Sequence, residues 1–297
     1  MQLGVSTLTA ILTHVRAGEV HESLRLLHRI APAARYVVCY GGPIGEFEQI
    51  EFDHKLFIND ATLRGPERHL QSLTAIFQAA WSAYFEADES VDSLYMIEYD
   101  HLILDPRFET RLRELAARTR ADLLGKNCVD CTATNEAQYV RFRRDERLAA
   151  HLRSVSVRDD PTRLFRCLGD GMWISRDALR AYVAVGEHPP CYCEVYVPTL
   201  LHHLGFRVVD VDAHSDLYSD VRWSPRFDTE QAMARFADGA AFIHPVKDPV
   251  ALRAISDAVT PAEHSRLAAS SLPASSSSRS GTGGRKSDQG RSGEQRP

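Results

Sequence analysis

Apolar residues along this chain follow two spacings, and the two alternate. Residues 19–30, EVHESLRLLHRI, place Val20, Leu24, Leu27 and Ile30 three or four positions apart, on one face of a helix. The following ARYVVCYGGP is a short apolar run stopped by Gly-Gly-Pro and reads as a strand. HKLFIND gives a second strand ending at Asp60, and ERHLQSLTAIFQAAWSAYFEA a long amphipathic helix through Leu70, Leu73, Ile76, Phe77 and Trp81. SLYMIEYDHLIL is a third strand, RFETRLRELAART a helix and ADLLGKNC another strand.

Residues 136–166 break the rhythm. They are polar and basic, a helical or irregular insertion over the sheet. CLGDGMWISRDALRAYV then runs from strand into helix, with Ser175 or Asp177 at the helix start. CYCEVYVPTLLHHLG is helix-like and ends at Gly205. FRVVDVD is a late strand, and AAFIHPVKDP is apolar and then abruptly polar. Strands alternating with helices predict an α/β fold, a Rossmann-like, mainly parallel central sheet flanked by helices. In such sheets ligands bind beyond the carboxyl ends of the strands, here CYGGP, FIND and EYDH.

Composition narrows this. Residues 268–297 are rich in Ser, Gly and Arg with little to bury, so one folded domain is expected over 1–267 and a disordered tail over 268–297. The chain carries a net charge of -5; the tail holds five basic and two acidic residues, which leaves the body at -8. An acidic body argues against general nucleic-acid binding but permits a local basic pocket. No run of about 18 apolar residues suits a membrane span, and the start lacks the basic and apolar regions of a secretion signal, so a cytoplasmic protein is expected. The six cysteines then read as free thiols behaving as small hydrophobes; CVDC and CYC could suggest zinc, but the second pair has the wrong spacing for a knuckle.

Two acids interrupt the most apolar strand. Strand side chains alternate between faces, so Glu98 and Asp100 share one while Tyr99 and His101 point to the other. Paired carboxylates at a strand end suit a hard divalent cation, or backbone donors and an arginine. The later FIHPVKD offers His244 as a third metal ligand and Lys247 as a partner for phosphate oxygens.

This pattern resembles the GT-A-fold nucleotide-sugar glycosyltransferases over about residues 19–250. The E-Y-D of Glu98–Asp100 resembles their D-x-D or E-x-D metal motif, and HPVK the segment that closes over the diphosphate. RLLHRIAPAARYVVCYGG, followed by KLFINDATLRGPERHLQSLTAIFQAAW, is similar to the start of the core-2-type branching transferases. The resemblance implies that Tyr40, Gly41 and Gly42 lie by the nucleotide base and ribose, and that Asp60 and Arg64 border the nucleotide or donor sugar. It implies that Glu98, Asp100 and His244 meet a Mn²⁺ or Mg²⁺ ion, with Lys247 on the diphosphate. Core-2-type enzymes work without a metal, so the E-Y-D departs from them.

The activity implied is transfer of a sugar from a nucleoside-diphosphate-sugar donor to a hydroxyl acceptor, with inversion. Such transfer needs a base for the acceptor proton. Glu194, at a helix start where the resembling families place an acid, is the first candidate, and Asp170 in LGDGMW the second. Gly169 and Gly171 would let backbone approach a sugar closely, and Trp173 is either a stacking surface or core. Glu194 also suits a helix N-terminus by charge alone, and Asp170 suits a turn. Two other readings compete. A nucleotidyltransferase forming nucleotide sugars would carry a Gly-rich basic loop after its first strand, whereas YGGPIGEFEQIEFD is acidic. A non-catalytic nucleotide-sugar-binding module would not need acids at two separate places.

Overall fold

The computed structural model describes residues 6–60 and 73–259, with backbone alone at 137, 138 and 170. The first element is a strand that apolar spacing does not announce, β1 (Ser6–Thr13). It is followed by α1 (Ala17–Ile30), β2 (Arg35–Tyr40), α2 (Ile44–Gln49) and β3 (Lys55–Phe57). The face of α1 set by Val20, Leu24, Leu27 and Ile30 is buried, as its spacing predicts. The long helix expected next is described only from α3 (Thr74–Ala80), which widens into a π-helical turn over Trp81–Phe85; Leu70 lies outside the described residues.

The chain continues through β4 (Val91–Glu98), β5 (Leu102–Ile103), α4 (Phe108–Thr119) and β6 (Leu123–Asp130). The basic insertion is two helices, α5 (Ala137–Arg143) and α6 (Glu146–Val155). Then come β7 (Phe165–Ser175), α7 (Arg176–Ala184), α8 (Cys193–His203), β8 (Val208–Asp210), β9 (Asp220–Val221), α9 (Thr229–Ala237), β10 (Phe242–His244) and α10 (Pro249–Ala258). Ser175 caps α7, its hydroxyl accepting from the Ala178 N–H, and Gly205, at φ 97°, stands just past the end of α8. The tail over 268–297 lies outside the described residues.

Seven strands form the main sheet, in the order β3-β2-β1-β4-β7-β6-β8. β1 pairs in parallel with β2 and β4, β2 with β3, and β6 with β8; β7 runs antiparallel to both β4 and β6. The fold is therefore α/β with a mostly parallel central sheet flanked by helices. Strand alternation divides the core between the sheet's faces: Val37 and Cys39 enter one apolar cluster, Tyr36, Val38 and Tyr40 the other. β1 can lie inside the sheet because its polar positions are satisfied: Thr7 hydrogen-bonds Ser93 at 2.9 Å, and Thr9 donates to Glu109 at 2.7 Å.

A second, three-stranded sheet, β5-β10-β9, positions the site. β10 runs antiparallel to β5, with Phe242 opposite Ile103 and Ile243 opposite Leu102. That register carries His244 to His101 and Asp100, which immediately precede β5. The Val246 N–H donates to the Asp100 carbonyl at 2.9 Å and fixes the approach.

Candidate active site

The carboxyl ends of β1, β2 and β4, with β7, the start of α8 and the end of β10, enclose a cavity of about 1090 Å³. Thr13 and His14 line it from β1, Gly41 and Gly42 from beyond β2, and Glu98, Tyr99 and Asp100 from the end of β4. Gly169, Tyr192 and Glu194 form one side, and His244 and Lys247 another. Cys39, Ile58, Leu73, Ile76 and Met96 supply an apolar wall.

The acid pair is not built as strand alternation suggests. β4 ends at Glu98, and the chain turns there, with the His101 N–H donating to the Glu98 carbonyl at 3.1 Å. Glu98 is exposed in the cavity, whereas Asp100 is 1% exposed. The same turn brings His101, expected to face away, into contact with Asp100: its Nδ1 is 3.4 Å from Asp100 Oδ1. His244 Nε2 is 3.6 Å from the same oxygen, and Lys247 Nζ is 3.2 Å from Oδ2. Asp100 thus stands among three basic groups drawn from two distant segments. Burial opposes its charge, but His101 and His244 outweigh that and hold the carboxyl well below the usual carboxylate range. Partial burial likewise works against the Lys247 ammonium, and Asp100 and Tyr99 overcome it, raising the lysine above its ordinary value.

Asp100, His101 and His244 bring ligand atoms within 4.8 Å of one another, and these buried groups could hold a metal ion. Their chemistry separates the two histidines. His244 Nδ1 lies 3.0 Å from the Arg222 carbonyl, which can only accept, so Nδ1 carries the proton and Nε2 faces Asp100 as the ligand nitrogen. His101 Nδ1 lies 3.0 Å from the Glu98 N–H. The two imidazoles are stacked, centroids 4.0 Å apart and planes 18° apart. An imidazole offers its lone pair in its own plane, so stacked rings do not both aim at one ion. Asp100 and His244 are the better pair, with His101 packed behind them on Phe242.

Glu194 also lines the cavity, in a different setting. It lies in the first turn of α8, 7% exposed, where the helix N-terminus favours negative charge. The Gly169 N–H donates to its Oε1 at 2.9 Å. A Cβ at Gly169 would sit 3.2 Å from that oxygen, so the glycine makes room for the carboxylate. Burial, and then the neighbouring Glu194 to which its hydroxyl hydrogen-bonds, raise the Tyr192 phenol above its ordinary range.

Other expected residues fall elsewhere. Tyr40 is wholly buried, its hydroxyl donating to the Val15 carbonyl at 3.0 Å, so its ring supports the site from the core side instead of lining it. A Cβ at Gly42 would clash with that hydroxyl. Asp60 stands two residues beyond the cavity-lining Ile58, and Arg64 lies outside the described residues. Asp170 belongs to β7, but its side chain lies outside the described residues. The space at Gly171 is taken by the Tyr95 and Tyr218 hydroxyls, so it is not a sugar approach, and Trp173 is a core residue. Sequence reasoning missed His14, which needs β1 to be seen as a strand, and Trp223 and Arg226, which line the cavity after β9.

The six cysteines are free thiols, five of them buried. No helix among the described residues is long and apolar enough to cross a membrane. No protein-family model matches the chain, and no curated protein does. Among solved structures it is similar to the crystal structure of a glycosyltransferase involved in the glycosylation of the major capsid of PBCV-1. The two are 8% identical with a TM-score of 0.40, over 86% of this chain and 98% of that one.

Proposed function

We propose that this protein is a glycosyltransferase that moves a sugar from a nucleoside-diphosphate-sugar donor to a hydroxyl acceptor. The observation that carries this reading is the buried Asp100 held between His244 at 3.6 Å and Lys247 at 3.2 Å at the edge of the cavity. A carboxylate and an ammonium side by side, with an imidazole nitrogen beside them, suit a ligand that brings both a cation and a polyanion.

In this reading the base lies against the apolar wall of Ile58, Leu73 and Ile76, and the ribose beside the backbone of Gly41 and Gly42. Lys247 faces the diphosphate. Asp100 and His244 would hold a divalent cation, which when bound neutralises charge on the departing diphosphate. One carboxylate and one imidazole fit Mn²⁺ better than Mg²⁺, which prefers an all-oxygen shell. Glu98, exposed at the strand end, would reach the ion's waters or the ribose.

Glu194 is the group for the acceptor. Its carboxylate, oriented by the Gly169 N–H and the Tyr192 hydroxyl, takes the proton of the acceptor hydroxyl as that oxygen attacks the anomeric carbon. The bond from the anomeric carbon to the diphosphate breaks, and the nucleoside diphosphate leaves with the electron pair. Attack from the side opposite the leaving group inverts the configuration. Asp170 would bind sugar hydroxyls.

A nucleotidyltransferase is less well supported. The first strand is β1, not β2, so the loop to inspect is His14–Arg16; it is three residues long, with no glycine before α1 begins. The test is a screen of UDP-, GDP- and dTDP-sugars with Mn²⁺ and with chelator, following release of nucleoside diphosphate. One donor should turn over with Mn²⁺ and lose most of its rate with chelator. Release of pyrophosphate from a nucleoside triphosphate and sugar phosphate, with no donor turnover, would overturn the reading.

A further inference from the structure

Beside the cavity, residues 222–227 form a short loop fixed at both ends. The Arg222 N–H donates to the His244 carbonyl at 3.1 Å, and the Phe227 N–H to the Pro245 carbonyl at 3.0 Å. His244 Nδ1 returns a hydrogen bond to the Arg222 carbonyl at 3.0 Å, and the Arg222 guanidinium lies 3.7 Å from the centroid of the Phe227 ring. Phe227 is buried in the third apolar cluster. Both ends are thus fastened to the segment that carries His244.

Between these anchors the tip presents Trp223 and Arg226, and both line the cavity. Trp223 is 72% exposed, the most exposed of the chain's large apolar side chains among the described residues. Its ring packs on no other ring, and Arg226 pairs with no carboxylate, among the described residues. Holding an indole in water is unfavourable, and a rigid base leaves it no route to the core. A preorganised aromatic face with an unengaged guanidinium beside it is a recognition surface: the face for the C–H side of a sugar ring, the guanidinium for a planar anion. The cavity, at about 1090 Å³, stands at the top of the roughly 300–1,000 Å³ usual for a small-molecule site.

We propose that Trp223 and Arg226 form the acceptor site and that the acceptor is a pyranoside bearing an anionic group, stacked on Trp223 with its charge on Arg226. This rests on the glycosyltransferase reading for the word acceptor; the binding site itself does not. Arg226 accounts for the acceptor's anion because Lys247, 3.2 Å from Asp100, is assigned to the donor's diphosphate. The anion can be a carboxylate, a phosphate or a sulfate, since a guanidinium serves each.

The experiment is binding of the full-length protein, with Mn²⁺ and UDP, GDP or dTDP present, to an array of neutral, carboxylated, phosphorylated and sulfated glycosides, alongside calorimetry for each nucleotide. Wild type should retain one acidic class over its neutral counterpart, and that class names the anion. Trp223→Ala should weaken acidic and neutral glycosides alike, by about tenfold. Arg226→Gln should remove only the acidic preference, again about tenfold. Both variants should keep wild-type nucleotide affinity, which also shows that they are folded. Equal retention of acidic and neutral glycosides, variants that bind glycans as wild type does, or a loss confined to nucleotide affinity would each overturn the proposal. Glycan binding without nucleotide binding would sink the glycosyltransferase reading and leave the Trp223–Arg226 site standing. Nucleotide binding with no glycan retained would do the reverse.

Discussion

Two buried carboxylates face the same cavity, and they are held in opposite ways. Asp100 is enclosed by side chains: two imidazoles and an ammonium, brought from a turn and from β10. Glu194 is held by a backbone N–H, a helix terminus and a phenol hydroxyl, groups that carry no formal charge. The contrast teaches what each can do. A carboxylate paired with an ammonium and flanked by imidazoles is held in its charged form and serves as a fixed counter-charge for something that arrives charged. A carboxylate held by neutral donors keeps its place and can still accept a proton from a neutral hydroxyl.

The sharpest way to break this contrast is at Glu194. Glu194→Gln keeps the shape and the Gly169 hydrogen bond but removes the basic oxygen, so transfer should fall about a thousandfold with nucleotide affinity unchanged. Initial rates beside calorimetry check this; parallel loss of both would merge the two roles. Asp100→Asn should act the other way, weakening Mn²⁺-dependent nucleotide binding about 100-fold, as loss of a metal ligand or its partner does. Titration of nucleotide with Mn²⁺ measures it. Gly169→Ala probes the mount of Glu194: the new Cβ, 3.2 Å from Oε1, forces the carboxylate to shift slightly. Transfer should drop about tenfold with little change in thermal stability.

A third acid outside the site sharpens the comparison further. Glu109, half-buried and hydrogen-bonded by Thr9 of β1, has no cationic cage; the loss of solvent around it pushes its carboxyl from 4.5 up to about 7, against the smaller pull of Thr9 and Arg113. The folded state therefore holds this proton where the unfolded chain has released it. Stability should be highest below about pH 4.5, fall through the window up to about pH 7, and level off above it, by on the order of 2 kcal/mol. Glu109→Gln should flatten that slope in urea unfolding measured across pH, with transfer unaffected.

The sequence made the α/β class legible because most strands and helices carry clear apolar spacing, as in α1 and the run before Glu98. β1 was hidden because Thr7, Thr9 and Thr13 break its apolar run; their burial depends on partners such as Ser93 and Glu109, distant in sequence. Asp100, His244, Lys247 and Glu194 were legible as chemistry, since acids and a histidine in apolar runs are costly unless they are used or paired. His101 was misjudged because period-two alternation was carried past the point where β4 ends and the chain turns. Trp223 and Arg226 left no pattern at all. They line the cavity because the 222–227 loop hangs on β10, a tertiary fact that local spacing does not record.

The most direct test of the central claim, that the Asp100–His244–Lys247 group grips a diphosphate, is calorimetry of UDP, GDP and dTDP against their bare nucleosides, with Mn²⁺, in wild type and Asp100→Asn. One diphosphate should bind wild type at least about 100-fold more tightly than its nucleoside, and the difference should largely vanish in Asp100→Asn. Equal affinity for nucleoside and diphosphate, or a diphosphate preference untouched by Asp100→Asn, would contradict it.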